Sequence, residues 1–402
     1  MLLVVCQSMS AQWKKINLSP PFNNGYYLDV FFLPSNPQYG WISGFNSYVL
    51  RTTDGGASWE GHILNNNEML ESIHFVTPLI GYTSGPNGVY KSIDGGISWS
   101  DVSPKTIPNI LWGCFFVNQY VGIVVGGGCA GDEQSFFRTT NGGATWNTFT
   151  QKIPESGLTD VMLYSEDGLG YASSSGIIWR TLDGGRTWSV FSQTGGLYWQ
   201  EEITNINNSF LVPISGTDCS GGRDVKGELR FSSNGGGKWQ SLQTFQSMFG
   251  TFLINETSGW GVGDGALVYY TSDAGATWQS RNNGIDPNAN LDDIYFTSDS
   301  VGWAVGQGVY YAPLSVLSNV TEITNTENKL RVSPQPSEDY LQISGITPRD
   351  LNDNISIFNI LGKIVKQEHI NETTQFQLNI SDLTPGVYYL RVGNETKMFV
   401  KK

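Results

Sequence analysis

A nine-residue pattern that occurs six times restricts the fold of this chain more than any other feature of its sequence. Each copy, which we call a box, has Asp or Asn before two small residues, usually Gly-Gly, and ends in Trp. The boxes are RTTDGGASW (51–59), KSIDGGISW (91–99), RTTNGGATW (138–146), RTLDGGRTW (180–188), FSSNGGGKW (231–239) and YTSDAGATW (270–278). Their spacing of about 40 to 50 residues is the length of a four-stranded propeller blade.

The boxes have the chemistry of a tight turn between two strands. An Asp or Asn side chain accepts hydrogen bonds from the amides that follow it, and glycine supplies the positive φ that such a turn needs. The Trp then packs as a large apolar anchor. We therefore assign a structural role to the residue before each Gly-Gly or Ala-Gly pair, which is Asp54, Asp94, Asn141, Asp183, Asn234 or Asp273.

A second recurring unit precedes the boxes: an apolar strand, a short turn and a Gly-rich strand. It is clear at 70–85 and again at 291–306, but no box follows the last copy, so that blade lacks its outer strand. The segment 12–18 is similar to the stretches after the boxes and can supply this strand, which would join the two ends of a ring and leave no bare sheet edge. The prediction is an all-β fold with a seven-bladed β-propeller over 12–315.

The boxes resemble the BNR or Asp-box family, which includes sialidases, sortilin-type receptors, xyloglucan-cleaving hydrolases and photosystem II assembly-factor-like propellers. Blade count and length are most similar to the assembly-factor-like group, which implies a role in chaperoning protein assembly; nothing in the sequence implies photosynthesis. The motif indicates the fold far better than any activity, because one fold hosts many functions.

Beyond a polar linker at 316–329, strands resume without a box, and their alternation predicts a small C-terminal β-sandwich over 330–402. The order of SPQP (333–336), IFNILGK (357–363), LTPGVY (383–388) and the final VKK resembles the type A C-terminal sorting domain of the type IX secretion system of Bacteroidetes. The resemblance implies that residues 330–402 engage the secretion machinery. It also implies that the protein crosses the outer membrane and is released or attached at the cell surface.

Residues 1–11 are typical of the end of a signal peptide that is truncated at its start, with cleavage after Ser10 or Ala11; a buried N-terminal strand is the alternative. Export would then pass through the periplasm. No later stretch approaches the roughly 18 to 20 apolar residues needed to span a bilayer. The net charge of −13 repels phosphate backbones, so we expect no nucleic-acid partner.

Two connections between second and third strands are enlarged, at 126–135 and 215–228. They lie on the rim opposite the boxes, where functional variation is expected. Their ligand-binding candidates are Asp132, Arg223 and Asp224. They also carry Cys129 and Cys219, which can pair across the rim; a pairing of Cys114 with Cys129, or no disulfide, remains open.

Acidic residues mark the starts of the innermost strands and should line one mouth of the central channel: Asp29, Glu71, Asp160, Glu201, Asp292 and Asp293. Trp112 and Trp199 occupy comparable positions and can stack on a sugar ring or on a partner side chain. Any single Asp at such a position can also simply cap a turn.

A missing catalytic constellation argues against most enzymes of this fold. A sialidase needs three arginines around a carboxylate, and outside the boxes the propeller has only Arg223, Arg230 and Arg281. The 3 histidines form no ligand cluster, so neither a metal nor a cofactor is expected. The leading hypothesis is a secreted or cell-surface module that binds a protein or a glycan. The alternative is a glycoside hydrolase that uses carboxylates among Asp29, Asp160, Glu201 and Asp293.

Overall fold

A computed structural model describes residues 13–64, 68–107, 110–127, 133–152, 157–194, 198–216, 226–298, 301–313, 331–333, 337–344, 354–359, 363–369, 375–392 and 395–402. The chain divides into two compact units, Met1–Asn319 and Val320–Lys402. Within the described ranges the regular structure is β-strand, apart from short 3-10 turns at Phe22–Asn24 and Phe45–Ser47. No helix in these ranges is long and apolar enough to cross a membrane. The predicted signal peptide and the predicted linker at 316–329 lie outside them.

Seven four-stranded antiparallel sheets form the first unit. After the N-terminal strand β1 (Lys14–Lys15), blades one to three contain β2 (Tyr27–Phe32), β3 (Gly40–Gly44), β4 (Tyr48–Thr52), β5 (Glu60–Ile63), β6 (Ser72–Phe75), β7 (Gly81–Gly85), β8 (Gly88–Ser92), β9 (Ser100–Asp101), β10 (Leu111–Phe116), β11 (Gly122–Gly126), β12 (Glu133–Thr139) and β13 (Asn147–Lys152). Blades four to seven contain β14 (Leu158–Leu163), β15 (Gly170–Ser174), β16 (Ile177–Thr181), β17 (Ser189–Gln193), β18 (Thr204–Ile206), β19 (Ser209–Ile214), β20 (Glu228–Ser232), β21 (Gln240–Gln243), β22 (Met248–Leu253), β23 (Gly259–Gly263), β24 (Leu267–Thr271), β25 (Gln279–Ser280), β26 (Leu291–Ser298), β27 (Val301–Gly306) and β28 (Gly308–Pro313).

The N-terminal strand β1 closes the ring. It pairs with β28, with Lys14 opposite Tyr311 and Lys15 opposite Tyr310, and so completes the seventh sheet in the order β1-β28-β27-β26. The buried Trp13 precedes it, and its indole Nε1–H donates to the Arg281 carbonyl at 2.8 Å. The seven-bladed fold and its closure by the two ends of the propeller are confirmed.

The six boxes form one kind of turn between the third and fourth strands of their blades. In the first box, Asp54 Oδ1 accepts the Ser58 amide at 2.9 Å, and Asp54 Oδ2 accepts the Ser58 hydroxyl at 2.6 Å. The hydrogen bonds from Ser58 lower the pKa of Asp54 to about 2. Gly55 and Gly56 have φ values of +71° and +86°, which a side chain would strain. The amide four residues later donates in the same way to Asp94, Asn141, Asp183, Asn234 and Asp273.

The hydrophobic core of the propeller lies between neighbouring blades. Trp41 of blade one stacks on Phe75 of blade two with ring centroids 3.6 Å apart, and Tyr82 of blade two stacks on Phe116 of blade three at 3.4 Å. The indole of Trp41 also donates to the carbonyl of Gly95 in the next box at 2.7 Å. Aromatic packing therefore joins blade one to blade two and blade two to blade three, and blade one also binds the turn of blade two.

The second unit is a β-sandwich, as the sequence predicts. Its strands are β29 (Arg331–Ser333), β30 (Tyr340–Ser344), β31 (Asn354–Asn359), β32 (Ile364–His369), β33 (Gln375–Asn379), β34 (Gly386–Val392) and β35 (Glu395–Lys401). They form two sheets, in the orders β29-β30-β33 and β32-β31-β34-β35. The facing apolar side chains of the two sheets, such as Leu341 and Ile357, are fully buried in one core.

Candidate functional site

The seven innermost strands present equivalent residues to the central channel at two heights. A register shift near the start of five of these strands turns two successive residues toward the channel. The upper ring consists of Leu28, Glu71, Trp112, Thr159, Glu201, Phe249 and Asp292. The lower ring consists of Asp29, Ser72, Gly113, Asp160, Glu202, Gly250 and Asp293. All of them except Gly250 line a cavity of about 100 Å³, which we call the acidic chamber.

The acidic chamber lies at the rim where the inner strands begin. Because the strands of each blade are antiparallel, this rim also carries the connections between second and third strands, while the boxes lie at the other end. We call these two ends the acidic rim and the box rim. The structure brings the predicted acidic residues together at one mouth of the channel. They are Asp29, Glu71, Asp160, Glu201, Asp292 and Asp293.

Four carboxylates of the lower ring, which we call the carboxylate ring, bind the backbone of the next blade. The amide donors and acceptors are Ile73 N–H to Asp29 Oδ2 (2.6 Å), Ile203 N–H to Asp160 Oδ2 (3.1 Å), Thr251 N–H to Glu202 Oε2 (2.6 Å) and Val30 N–H to Asp293 Oδ2 (2.9 Å). The last of these joins blade seven to blade one. Each carboxylate therefore acts as a latch between two blades.

Glycine replaces the carboxylate where the blades approach too closely for any side chain. A Cβ at Gly113 would lie 2.8 Å from the Cα of Asp160, and one at Gly250 would lie 2.6 Å from the Cα of Asp293. In blade two the same position is Ser72, whose hydroxyl oxygen accepts the Cys114 amide at 3.3 Å. The residues of the lower ring thus contact the next blade, and the distance between the two blades decides whether a carboxylate, a serine or a glycine fits.

Three carboxylates of the upper ring, Glu71, Glu201 and Asp292, take no part in these latches. Asp292 Oδ1 accepts the Tyr26 hydroxyl at 3.4 Å. Trp112 and Trp199 meet edge to face beside them, with ring centroids 5.2 Å apart. The residues that line the chamber include no Lys, Arg or His.

Burial raises the pKa of every carboxylate that lines the chamber, because the surrounding protein disfavours the charged form. The pKa of Glu71 rises to about 8, mainly through burial and then through the charge of Glu201. Burial likewise raises the pKa of Glu201 to about 7, that of Asp160 to about 7 and that of Asp29 to about 6. Asp292 is raised well above its usual pKa by burial and by the nearby charges of Glu201 and Glu71.

The raised pKa of Glu71 predicts a pH-dependent change in stability. Its carboxyl is protonated more readily in the folded chain, with a pKa of about 8, than in the unfolded chain, near 4.5. The folded state therefore loses stability as pH rises from about 4.5 to 8, and the loss is complete above that range. We expect Glu71→Gln to raise the melting temperature by at least about 2 °C at pH 8.5 and to leave it unchanged at pH 4.

Differential scanning fluorimetry at both pH values measures this effect. The matched control is Glu256→Gln, because Glu256 is exposed. Glu256 Oε1 accepts a hydrogen bond from the Asn207 side chain at 2.7 Å, and the glutamine side chain keeps an oxygen that can accept it. An equal change in melting temperature at pH 4 and pH 8.5 for Glu71→Gln would contradict the assignment.

Several predicted site residues fall outside the described ranges: Asp132, Arg223, Asp224, Cys129 and Cys219. Cys114 lies in β10 as a free buried thiol, and burial raises its pKa to about 12. In the part of the chain that the structure describes, no group of three or more His, Cys, Asp or Glu could hold a metal ion. Glu202 is the chamber carboxylate that the sequence analysis missed; the signal for it is the pair Glu201-Glu202, which parallels Asp292-Asp293.

Comparison with family models supports both parts of the chain. Residues 331–402 match the model described as secretion system C-terminal sorting domain. Residues 5–111 match the model described as photosynthesis system II assembly factor YCF48. The chain thus combines a propeller similar to YCF48 with a secretion sorting domain, which implies secretion to the cell surface or outside, and these two resemblances are confirmed.

Individual proteins agree with these matches. The photosystem II assembly protein Ycf48 of Synechococcus sp. (strain JA-2-3B'a(2-13)) is 25% identical over 307 residues, which cover 73% of this chain and 86% of that protein. A solved structure of YCF48 bound to a D1 peptide is 19% identical, with a TM-score of 0.57, over 75% of this chain and 94% of that one. An ancestral GH74 enzyme is 14% identical, with a TM-score of 0.59, over 97% of this chain and 63% of that one. At these identities the two solved structures establish a shared fold alone.

Proposed function

We propose that this chain is an exported binding module whose acidic chamber recognises a basic segment of a protein partner. The observation that carries this proposal is the upper ring, where Glu71, Glu201 and Asp292 face a common space whose lining residues include no cation. Export rests on the sorting domain, with a signal peptide and passage through the periplasm as the proposed route.

A positive side chain is the guest that this chamber favours. After burial, the charge of Glu201 raises the pKa of Glu71, and the charges of Glu201 and Glu71 raise that of Asp292; a Lys ammonium or Arg guanidinium among them would relieve that repulsion. The volume of about 100 Å³ admits one side chain rather than a folded surface. Trp112 and Trp199 stand where they can pack on the alkyl stem or contact the cation through a ring face.

A protein segment fits this chamber better than a glycan. Neutral sugars leave the carboxylate charges unpaired, and anionic sugars are repelled by them. The structural relative that is bound to a peptide adds support for a peptide guest. The strands that border the enlarged connections at 126–135 and 215–228 end and begin at the acidic rim, so a partner bound there could extend its contact beyond the chamber.

The latches argue against the hydrolase alternative. A glycosidase needs two carboxylates that are free to reach the scissile bond. Asp29, Asp160 and Asp293 each hold a backbone amide of the neighbouring blade, so protonating a leaving group or attacking a sugar would break a blade contact. Of the four carboxylates proposed for a hydrolase, Glu201 alone is outside the latches, so the other three cannot act as its catalytic partner without breaking a blade contact.

Fluorescence anisotropy with two labelled nonapeptides tests the proposal, one with a central Lys-Arg pair and one with Gln-Gln in its place. We expect the basic peptide to bind at least about tenfold more tightly, and we expect its affinity to fall as salt rises. The double variant Glu201→Gln/Asp292→Asn should lose at least about tenfold in affinity, which corresponds to about 1.4 kcal/mol.

Glu256→Gln again serves as the exposed control and should bind like the parent chain. Equal affinity for both peptides, or an unchanged affinity in the double variant, would refute a basic guest. A glycan array with an assay of bond cleavage covers the alternative, which would be supported by turnover that disappears in Asp160→Asn or Asp293→Asn.

A further inference from the structure

A second and larger cavity lies on the other side of the carboxylate ring. Its volume is about 590 Å³, and we call it the lower cavity. Its walls are the residues two positions after the lower ring: Phe31, His74, Phe115, Met162, Thr204, Phe252 and Tyr295. It continues past the ends of the inner strands to Leu33, Val76, Val117 and Tyr164, so it reaches the box rim.

The walls of the lower cavity are largely aromatic and uncharged. His74 lies between two phenylalanines, 4.6 Å from the ring centroid of Phe31 and 4.4 Å from that of Phe115. Burial lowers the pKa of His74 to about 3, so its imidazole is neutral at physiological pH. Its Nδ1 is buried without a hydrogen-bond partner. Phe252 and Tyr295 form a further aromatic pair with centroids 5.0 Å apart.

The floor of the lower cavity consists of carboxyl groups. Burial raises their pKa values, so a positive guest that pairs with them would favour their ionised form. The carboxylates of Asp29, Asp160, Glu202 and Asp293 line it as well as the acidic chamber. One oxygen of each accepts the latch amide, and the second oxygens of Asp160 and Asp293 accept the amides of Val161 at 2.7 Å and Ile294 at 2.6 Å. A carboxylate has about four acceptor positions, so capacity for another donor remains. No Lys or Arg is among the residues that line this cavity.

We propose that the lower cavity binds an organic monocation with an aromatic body, which enters from the box rim. The positive group lies against the carboxylate ring, and the body packs between the aromatic side chains of the wall. An engineered cavity of roughly 150 Å³ holds benzene. A cavity of about 590 Å³ therefore has room for a guest of several fused rings. This site is separate from the acidic chamber and does not depend on the function proposed for it.

Three fluorescent probes that differ in charge test this inference on the full chain: berberine, a planar cation; N-phenyl-1-naphthylamine, which is neutral; and 1-anilinonaphthalene-8-sulfonate, an anion. We expect berberine to bind at least about tenfold more tightly than the neutral probe, and we expect the anion not to bind. Affinity of the anion equal to that of berberine would overturn the proposal.

Variants then locate the probe. Met162→Trp fills the lower cavity and should weaken berberine at least about tenfold; Thr204→Met adds volume on the neighbouring strand and serves if the first variant does not fold. Glu202→Gln keeps an oxygen for the Thr251 amide but removes a charge, so it should weaken berberine and leave the neutral probe unaffected. Glu71→Gln changes only the acidic chamber and should leave berberine affinity within twofold. Loss of berberine binding in Glu71→Gln, or unchanged binding in the cavity-filling variant that folds, would overturn the assignment.

Discussion

Replacing Trp13 by alanine is expected to lower the free energy of unfolding of the propeller by about 3–5 kcal/mol, the usual cost of removing a fully buried large aromatic side chain. Trp13 is 1% exposed and packs with Trp260, Ile285 and Tyr310. The substitution also leaves the Arg281 carbonyl without the indole donor at 2.8 Å. The effect is large because Trp13 anchors β1, the strand that pairs with β28 and completes the seventh sheet.

Urea denaturation followed by tryptophan fluorescence measures this loss. All 13 tryptophans lie between positions 13 and 303, so the signal reports on the propeller and not on the C-terminal sandwich. The control is Phe245→Ala, since Phe245 is 90% exposed and should change stability by less than about 0.5 kcal/mol. A loss of under 1 kcal/mol for Trp13→Ala would mean that the closing strand contributes little to the ring.

The fold could be predicted because the sequence signals that specify it are local and repeated. The hydrogen bonds of a box join residues at most four positions apart, so Asp54 and Ser58 specify their turn without knowledge of the rest of the chain. The absence of a box after 291–306 likewise showed that one outer strand was missing. A segment similar to the other outer strands was then enough to predict the closure that β1 makes with β28.

The use of the channel acids could not be predicted in the same way. Whether Asp160 accepts the Ile203 amide depends on how closely two blades approach, and residues 43 positions apart in the chain reveal nothing of that distance. Glu202 was missed for a related reason. A register shift of one residue decides whether a carboxylate lies in the upper or the lower ring, and the pair Glu201-Glu202 supplies one carboxylate to each.

The lower cavity gave even less sequence signal. His74 belongs to no ligand cluster in the sequence, and its neighbours Phe31 and Phe115 come from two other blades. Alternation within one strand identifies which residues face inward, but it does not tell whether seven such residues fill the centre of a ring or leave a space there. That depends on the ring's diameter, which follows from the number of blades.

Deleting residues 331–402 is expected to abolish secretion while leaving the propeller folded. The deleted segment matches the sorting-domain model over its whole length, and its hydrophobic core contains only residues of the second unit, so the propeller loses none of its own core. In the native host the truncated chain should be retained in the cell, with the amount at the cell surface and in the medium falling to background.

Fractionation and immunoblotting measure the distribution, and the tryptophan fluorescence of the purified truncated chain checks that its propeller is intact. A point variant separates loss of the sandwich fold from loss of length: Ile357 is fully buried, so Ile357→Asp places a charge in the core and should block secretion as the deletion does. Val365→Ala changes a residue that is 37% exposed and should be secreted normally. Normal surface display of the truncated chain would show that the signal for export lies elsewhere. Secretion of Ile357→Asp with retention of the deletion would instead mean that the machinery reads a linear segment rather than the folded sandwich.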